Sequence, residues 1–457
     1  MRTDRISPAT LIAFGAPAVG AGYMYLLLAL YVMKFSTDVL LIAPAVMGLI
    51  FSVSRIWDAI SDPLVGYLSD RTGLSLGRRR TWILVSLVPI AIGFYAVFAP
   101  PQGLSVDALS WWMAAAVIGF YSAMTLFFVP HMALGAELSN DYHERSRLFG
   151  LRHAFYTFGS ILSLATMQLL INEEFSDGGD VRAMAEQYAL YAVVAMSVLV
   201  LYAVVNLRER PEFQGRLDSS PVSAFRDVWQ NPHARLLVIV TFIENIGSSA
   251  IAVLTLYVTQ YVVGAPLWAP LIILAYMLPS TASVPLWLPL SRRFGKIRVW
   301  IFGMALYGVA FGGMFFLPFL DTVDARLVLI IAMAAFAGFA AGCGGTIGPS
   351  VQGDVIDYDE YKTGERKEGS YFAVWNFTYK SALGVMLLLT GFVLEASGFI
   401  PNQPQPMSVQ IAMVTLYGAL PLVCYVIGAV LFSRFKLNEQ EYVVIRAELD
   451  RRATAAS

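Results

Sequence analysis

Apolar runs of about twenty residues recur along this chain, and that recurrence limits its fold more than any other feature. A helix needs about 20 mostly apolar residues to cross a bilayer, and lipid offers no partner to an unpaired backbone N–H or C=O. On that rule about twelve spans are expected, at 9–35, 44–69, 81–99, 110–137, 152–171, 187–207, 236–262, 266–290, 299–319, 327–352, 370–395 and 409–433. With 57% hydrophobic and 14% charged residues and a mean hydropathy of +0.64, the chain falls outside the soluble globular class. The fold class expected is an all-α polytopic membrane protein. Met1-Arg2-Thr3-Asp4-Arg5 runs into a long apolar segment with no small-residue cleavage site, so no removable signal peptide is expected.

Positive charge orients the spans. Of the 31 Lys and Arg residues, 26 fall in the loops and ends on one side, and only Lys34, Arg182 and Arg326 on the other. Both ends of the chain are therefore expected to be cytoplasmic, in the cytoplasmic (inner) membrane. The polar segment 208–235, with Pro211, Pro221 and Pro232, reads as a cytoplasmic linker between six-span halves at 1–207 and 236–433, followed by a cytoplasmic tail at 434–457. A repeat supports the halves: Gly77-Arg78-Arg79-Arg80-Thr81-Trp82-Ile83-Leu84 returns as Gly295-Lys296-Ile297-Arg298-Val299-Trp300-Ile301-Phe302, and Ser61-Asp62-Pro63-Leu64 aligns with Ser283-Val284-Pro285-Leu286. Parallel six-span repeats are the arrangement of major facilitator transporters.

Against this apolar background one stretch stands out. Ser54-Arg55-Ile56-Trp57-Asp58-Ala59-Ile60-Ser61-Asp62-Pro63-Leu64-Val65-Gly66 puts an arginine and two carboxylates inside the second span. Asp58 and Asp62 are four apart and share one helix face. A single charge at the bilayer centre costs about 3 kcal/mol on insertion scales, and two like charges on one face repel as well. Such a pair persists where it faces a wet cavity and holds something positive; the plainer alternative is that Arg55 pairs with it for structure alone. The repeat carries Ser280 and Val284 at the matching positions of the eighth span, so the fold itself does not require the carboxylates.

The cysteines, Cys343 and Cys424, lie in apolar runs and suggest neither a disulfide framework nor a thiolate metal site. His131, His143, His153 and His233 lack zinc-ligand spacing. No nucleophile–base pair appears, so an enzyme is not expected.

Trp57-Asp58-Ala59-Ile60-Ser61-Asp62-Pro63 with the Gly77–Leu84 motif resembles the glycoside–pentoside–hexuronide:cation symporters, the melibiose-permease group of the major facilitator superfamily. Val129-Pro130-His131-Met132-Ala133-Leu134-Gly135-Ala136-Glu137-Leu138 and Gly353-Asp354-Val355-Ile356-Asp357-Tyr358-Asp359-Glu360-Tyr361-Lys362-Thr363-Gly364 agree with the same family, the latter as its loop between spans ten and eleven. The resemblance implies a fold of twelve transmembrane helices and a cation-coupled symporter working by alternating access. It implies that Asp58 and Asp62 ligate the coupling cation, with Thr125 nearby and Lys380 as a partner that holds the site when it is empty. Clustered oxygens suit a hard cation such as Na⁺. Sodium-using members often carry asparagine where this chain has Ser61, so the ion is left open between Na⁺ and H⁺, with Arg55 as a second partner. Asp70, Arg71, Arg78 and Arg79 match the superfamily's motif between spans two and three, expected to gate. Arg145, Asp354 and Asp357 form a second candidate gate, or else solvated loops.

The sugar pattern of the melibiose permeases is not kept. Pro17, Phe128, Met132 and Gly345 stand where those proteins carry two aspartates and two tryptophans, while Arg152 matches a family arginine of the sugar region. A galactoside site needs carboxylate acceptors and a flat aromatic face, so a melibiose-type substrate is not expected. The candidate substrate residues are Arg152, Tyr121, Phe128, Met132, Glu244, Asn245, Trp375, Asn376 and Tyr379. The substrate is a small organic solute, by family default a sugar or glycoside; a lysophospholipid or other amphipathic molecule is the alternative, and a non-transporting receptor a further one. No cofactor is expected beyond the coupling ion, and the chain is read as a monomer whose partners are a small molecule, a monovalent cation and the bilayer, not nucleic acid.

Overall fold

The computed structural model describes residues 6–74, 76–139, 142–209, 226, 228–364, 368–437 and 439–456. The chain divides into two compact units, Met1–Asp218 and Ser219–Ser457. The first holds α1 (Pro8–Gly15), α2 (Pro17–Lys34), α3 (Pro44–Asp70), α4 (Arg78–Phe98), α5 (Val106–Glu137), α6 (Tyr142–Glu174) and α7 (Val181–Asn206). The second holds α8 (Pro232–Tyr257), α9 (Ala269–Ala282), α10 (Val284–Phe294), α11 (Lys296–Met314), α12 (Val323–Thr363), α13 (Glu368–Ala396), α14 (Met407–Val414), α15 (Leu420–Phe432) and α16 (Glu439–Ala456).

Among the described residues ten helical stretches are long and apolar enough to cross a membrane, or eleven if the bent pair α9–α10 counts as one span. The expected second span, α3, is 27 residues long, and Arg55, Asp58 and Asp62 lower its apolarity. The chemistry that marks this helix out is also what hides it from an apolarity test.

Local sequence sets the helix starts. Ser105, Asp180 and Thr322 accept from the backbone N–H three residues on, and Asn231 accepts from His233 and Ala234. α4 is capped from afar: the Glu209 carboxylate accepts from the N–H groups of Arg78, Arg79 and Arg80 at 2.8–2.9 Å. An anion at a helix N-terminus meets both the open donors and the positive end of the dipole.

Three expectations change. The first span is interrupted where Pro17, which has no N–H, follows Ala16. The stretch expected as a loop between spans ten and eleven is helical, because α12 runs unbroken through 41 residues to Thr363 and carries Asp354 and Asp357 on its last turns. Likewise α6 begins at Tyr142, so Glu144, Arg145 and Arg147 sit in its first turns and Arg152 lies within it. The repeat shows again in backbone form: α2 and α8, the first long helix of each unit, both pass into π-helix, at Phe35–Val39 and Val258–Val263.

Within each unit the helices meet through glycine. A Cβ at Gly159 would lie 1.9 Å from the Val19 carbonyl oxygen, and one at Gly338 would lie 2.0 Å from that of Tyr276. Only a bare backbone permits α2 to touch α6, and α9 to touch α12, so closely.

Candidate functional site

In the first unit the charged residues of α3 come together. Asp58 and Arg55 are 1% and 5% exposed, and Arg55 Nη1 lies 3.3 Å from Asp58 Oδ2. The Arg55 guanidinium also sits 3.4 Å above the Tyr121 ring, which makes Tyr121 a cation–π partner. One turn on, the Thr125 hydroxyl of α5 donates to Asp62 Oδ1 at 2.8 Å. The Ser61 hydroxyl is buried and donates to the Asp58 carbonyl at 3.3 Å. Asp58, Ser61 and Asp62 thus lie on successive turns of α3 with Thr125 of α5 on Asp62, and Arg55 Nη1 lies beside Asp58.

This set offers oxygens of three kinds: carboxylate, hydroxyl and backbone carbonyl. Among the described residues no three His, Cys, Asp or Glu side chains converge on one point. A cation here would rest on two carboxylates and neutral oxygens, which suits a hard monovalent ion. Sequence reasoning missed Tyr25, which lies within electrostatic reach of Arg55, Asp58 and Asp62 and 6.2 Å from the Tyr121 and Phe128 rings. Nothing in its local sequence separates it from an ordinary aromatic of a lipid-facing helix.

Nearby, the Arg152 guanidinium lies 5.0 Å from the Phe128 ring. Its Nε and Nη2 are buried without a hydrogen-bond partner. A buried, unanswered donor pair of this kind calls for an acceptor from a ligand or from water. Met132 is half-buried on α5. His131 is fully buried between Phe14 and Phe127, and its Nε2 lies 2.9 Å from the Phe14 carbonyl oxygen, which makes it a packing group.

The second unit contains a cavity of about 300 Å³. It gathers Glu244 and Asn245 from α8, Tyr276 from α9, Trp300 and Tyr307 from α11, and Tyr425 from α15. Glycines 344, 345 and 348 of α12 form a wall without side chains. Glu244 is 8% exposed and takes a hydrogen bond from Trp300. The Tyr276 and Tyr307 hydroxyls are 2.9 Å apart. Trp300, Tyr276, Tyr307 and Tyr425 were not singled out by sequence, because each reads as one more aromatic in an apolar helix.

The three candidates of α13 are not among the residues that line this cavity. Trp375 is buried against Tyr371 and Phe372, whereas Asn376 and Tyr379 are exposed. Lys380 is half-buried on the same helix.

The candidate gate residues have partners within their own units. Arg78 pairs with Glu137 at 2.6 Å, Arg79 reaches the same carboxylate at 3.4 Å, and Arg71 stacks 3.4 Å over Tyr67. Asp354 binds Lys296 at 2.6 Å, while Asp357 accepts from the Tyr442 hydroxyl at 2.9 Å and lies 3.6 Å from Arg446. Burial and the bond to Asp357 push the Tyr442 hydroxyl up to about 12. The side chains of Asp70 and Arg145 lie outside the described residues.

A family described as MFS/sugar transport protein matches residues 13–439. Among curated proteins the chain is 26% identical over 442 residues to the inner membrane symporter YicJ of Escherichia coli, covering 95% of this chain and 93% of the relative. It is 26% identical over 482 residues to the sodium-dependent lysophosphatidylcholine symporter 1 of Gallus gallus, covering 96% and 88%. A crystal structure of a D-xylose–proton symporter superposes with a TM-score of 0.67 at 15% identity over 93% of this chain and 97% of that one, which shows a shared fold.

Proposed function

Because the chain belongs to the MFS/sugar transport protein family, a family of membrane transporters rather than enzymes, we propose that it is an inner-membrane symporter coupling a small organic solute to Na⁺ or H⁺ by alternating access. The buried Asp58 and half-buried Asp62 of α3, with the Thr125 hydroxyl on Asp62, carry this reading. In it, Asp58 and Asp62 take the cation with Ser61 and Thr125 as neutral ligands. Arg55 and Lys380 supply positive charge when the ion is gone. Arg152 presents its buried, unanswered N–H groups to the solute. Cation and solute raise each other's affinity, as linkage requires. Both chain ends face the cytoplasm in this reading, on the strength of the one-sided Lys and Arg distribution.

The solute assigned here is a sugar or glycoside. A lysophospholipid is the second reading, favoured by the relative from Gallus gallus and by the aromatic wall of Tyr25, Tyr121 and Phe128. The test is uptake in vesicles carrying Asp58→Asn or Asp62→Asn. Each variant is expected to insert normally and to lose cation-stimulated accumulation down to the passive level. Full accumulation by both would remove the mechanism. A Na⁺ gradient imposed in the presence of a protonophore separates the two ions: uptake that survives is driven by Na⁺.

A further inference from the structure

In the first unit the aromatic faces near the buried carboxylate carry cations of the chain's own, Arg55 over Tyr121 and Arg152 beside Phe128. The cavity of the second unit repeats only half of that arrangement. Glu244 is buried there among Tyr276, Trp300, Tyr307 and Tyr425, and among the described lining residues there is no Lys, Arg or His. We propose that this cavity is a further binding site, for a small quaternary ammonium ion held by the Glu244 carboxylate and the surrounding ring faces. The site is additional to the symport reading above and stands whichever solute that symport carries.

Four observations support it. Glu244 takes one hydrogen bond, from the Trp300 indole, whose single N–H fixes the side chain and leaves most of its acceptor capacity for a ligand. The rings form a corner: Tyr307 lies 4.4 Å from Tyr425 between centroids and stands at 86° to Tyr276. Aromatic faces attract a cation through their quadrupole, and more strongly where water is excluded. The donors of the wall are already committed, Thr241 to the Leu237 carbonyl at 2.8 Å, Asn245 to the Thr241 carbonyl at 2.6 Å and Ser248 to the Asn245 carbonyl at 3.4 Å. An anion or an acceptor-rich ligand therefore finds little to bind, whereas an ion that brings charge and no N–H needs only what remains. A volume of about 300 Å³ lies at the small end for ligand pockets and excludes a molecule with a long acyl chain.

Binding is an exchange. A carboxylate out of water and without a cation is costly as an anion, so it keeps its proton until positive charge arrives. The Glu244 carboxyl then gives its proton to water and pairs as carboxylate with the ammonium ion, which leaves the net charge of the site unchanged. The other titratable groups that face it are Cys343 of α12 and Tyr425 of α15, with Tyr276 of α9 and Tyr307 of α11 on the same cavity wall. α13 also packs on α8, and it places no described residue in the lining. The proton released is therefore that of Glu244, and raising the pH favours the ligand.

The experiment is titration calorimetry on the purified full chain in lipid nanodiscs, with tetramethylammonium and with neopentyl alcohol, an uncharged molecule of similar shape. Paired buffers of different ionisation heat count the protons released. Tetramethylammonium is expected to bind about tenfold or more tightly than the alcohol, with an affinity that rises from pH 6 to pH 8 and about one proton released at the lower end. Glu244→Gln is expected to abolish the proton release and the pH dependence and to bring the two ligands to similar affinity. Tyr425→Leu keeps apolar bulk but removes one ring, and is expected to weaken the ammonium ion about threefold or more while leaving the alcohol little changed. This second variant decides the matter should Glu244→Gln not fold. Asp58→Asn is expected to bind tetramethylammonium as the original chain does, so failure of this site and failure of the coupling mechanism read out separately. The proposal is overturned if tetramethylammonium does not bind, if the alcohol binds as tightly, if no proton is released at pH 6, or if Asp58→Asn and not Glu244→Gln abolishes binding.

Discussion

α3 in the first unit and the α9–α10 pair in the second occupy the same place in the repeat, and they differ in both charge and shape. α3 is one helix of 27 residues with three charged side chains buried or half-buried along it. The α9–α10 pair bends by 46° at Ser283 and carries Ser280 and Val284 where α3 has its carboxylates. Proline alone does not decide the bend, since α3 contains Pro63 and remains continuous. The difference follows what each helix packs against. α3 leans on α5 through polar contacts, Thr125 to Asp62 and Trp57 to Ser122. The bent pair lies on α12 through bare glycine, with Ser283 and Trp287 both donating to the Phe339 carbonyl at 3.0 Å. One unit thus keeps its polar groups on a helix face, and the other keeps them around a cavity.

The sharpest way to break this comparison is to move the charge. Asp62→Asn is expected to abolish accumulation, and Ser280→Asp in the same chain is expected not to restore it. An isolated carboxylate on α9 lacks the arginine and hydroxyl partners of α3, so Ser280→Asp alone is expected to destabilise by about 3 kcal/mol. A melting scan in detergent reads that loss, and a transporting double variant would show the two helices to be interchangeable.

The packing side of the comparison comes next in size. Gly338→Val places a side chain where even a Cβ lies 2.0 Å from backbone, and overpacking of this kind costs about 1–3 kcal/mol. Gly119→Ala on α5 meets nothing within 4 Å and is expected to stay within about 0.5 kcal/mol of the original. Equal melting temperatures for the two variants would mean that the close approach of α9 to α12 carries no stability.

A smaller effect is expected at Thr125. Thr125→Val keeps the shape and removes one hydrogen bond to Asp62, worth about 1 kcal/mol, or roughly fivefold in cation affinity. Thr125→Ser retains the hydroxyl and is expected to restore most of that affinity. An unchanged cation titration in Thr125→Val would remove this residue from the ion site.

What the sequence showed and what it hid divide along the same line. Asp58, Asp62 and Arg55 were legible because charge inside an apolar run is rare and expensive, so their presence alone demanded an explanation. The cavity was not legible. Trp300, Tyr307 and Tyr425 are aromatic residues in aromatic-rich apolar helices, and only the fold brings them around Glu244. Glu209 was hidden for a different reason: it caps α4 from beyond the end of α7, and no local spacing links the two. The helical extension of α12 past residue 352 was missed because its acidic end reads as loop by composition. It holds as helix where Lys296, Tyr442 and Arg446 take up its carboxylates.

That extension supplies the smallest predicted effect. α16 is tied to the end of α12 by Tyr442 on Asp357 and by Arg452 donating to the Tyr361 carbonyl at 3.0 Å. Glu448 accepts from Arg451 and Arg452 one turn along α16, and those hydrogen bonds hold its carboxyl down at about 2, below the ordinary 4.5. A carboxyl depressed on folding stabilises above its unfolded value, and that stability fades as pH falls towards its folded value. Amide protection across 439–456, corrected for intrinsic exchange, is therefore expected to stay level from pH 7 to about 5 and to drop between about pH 4.5 and 2. Glu448→Gln should remove the drop without altering transport at neutral pH. A profile that is the same with and without Glu448 would mean that the tail helix is held by its contacts to α12 alone.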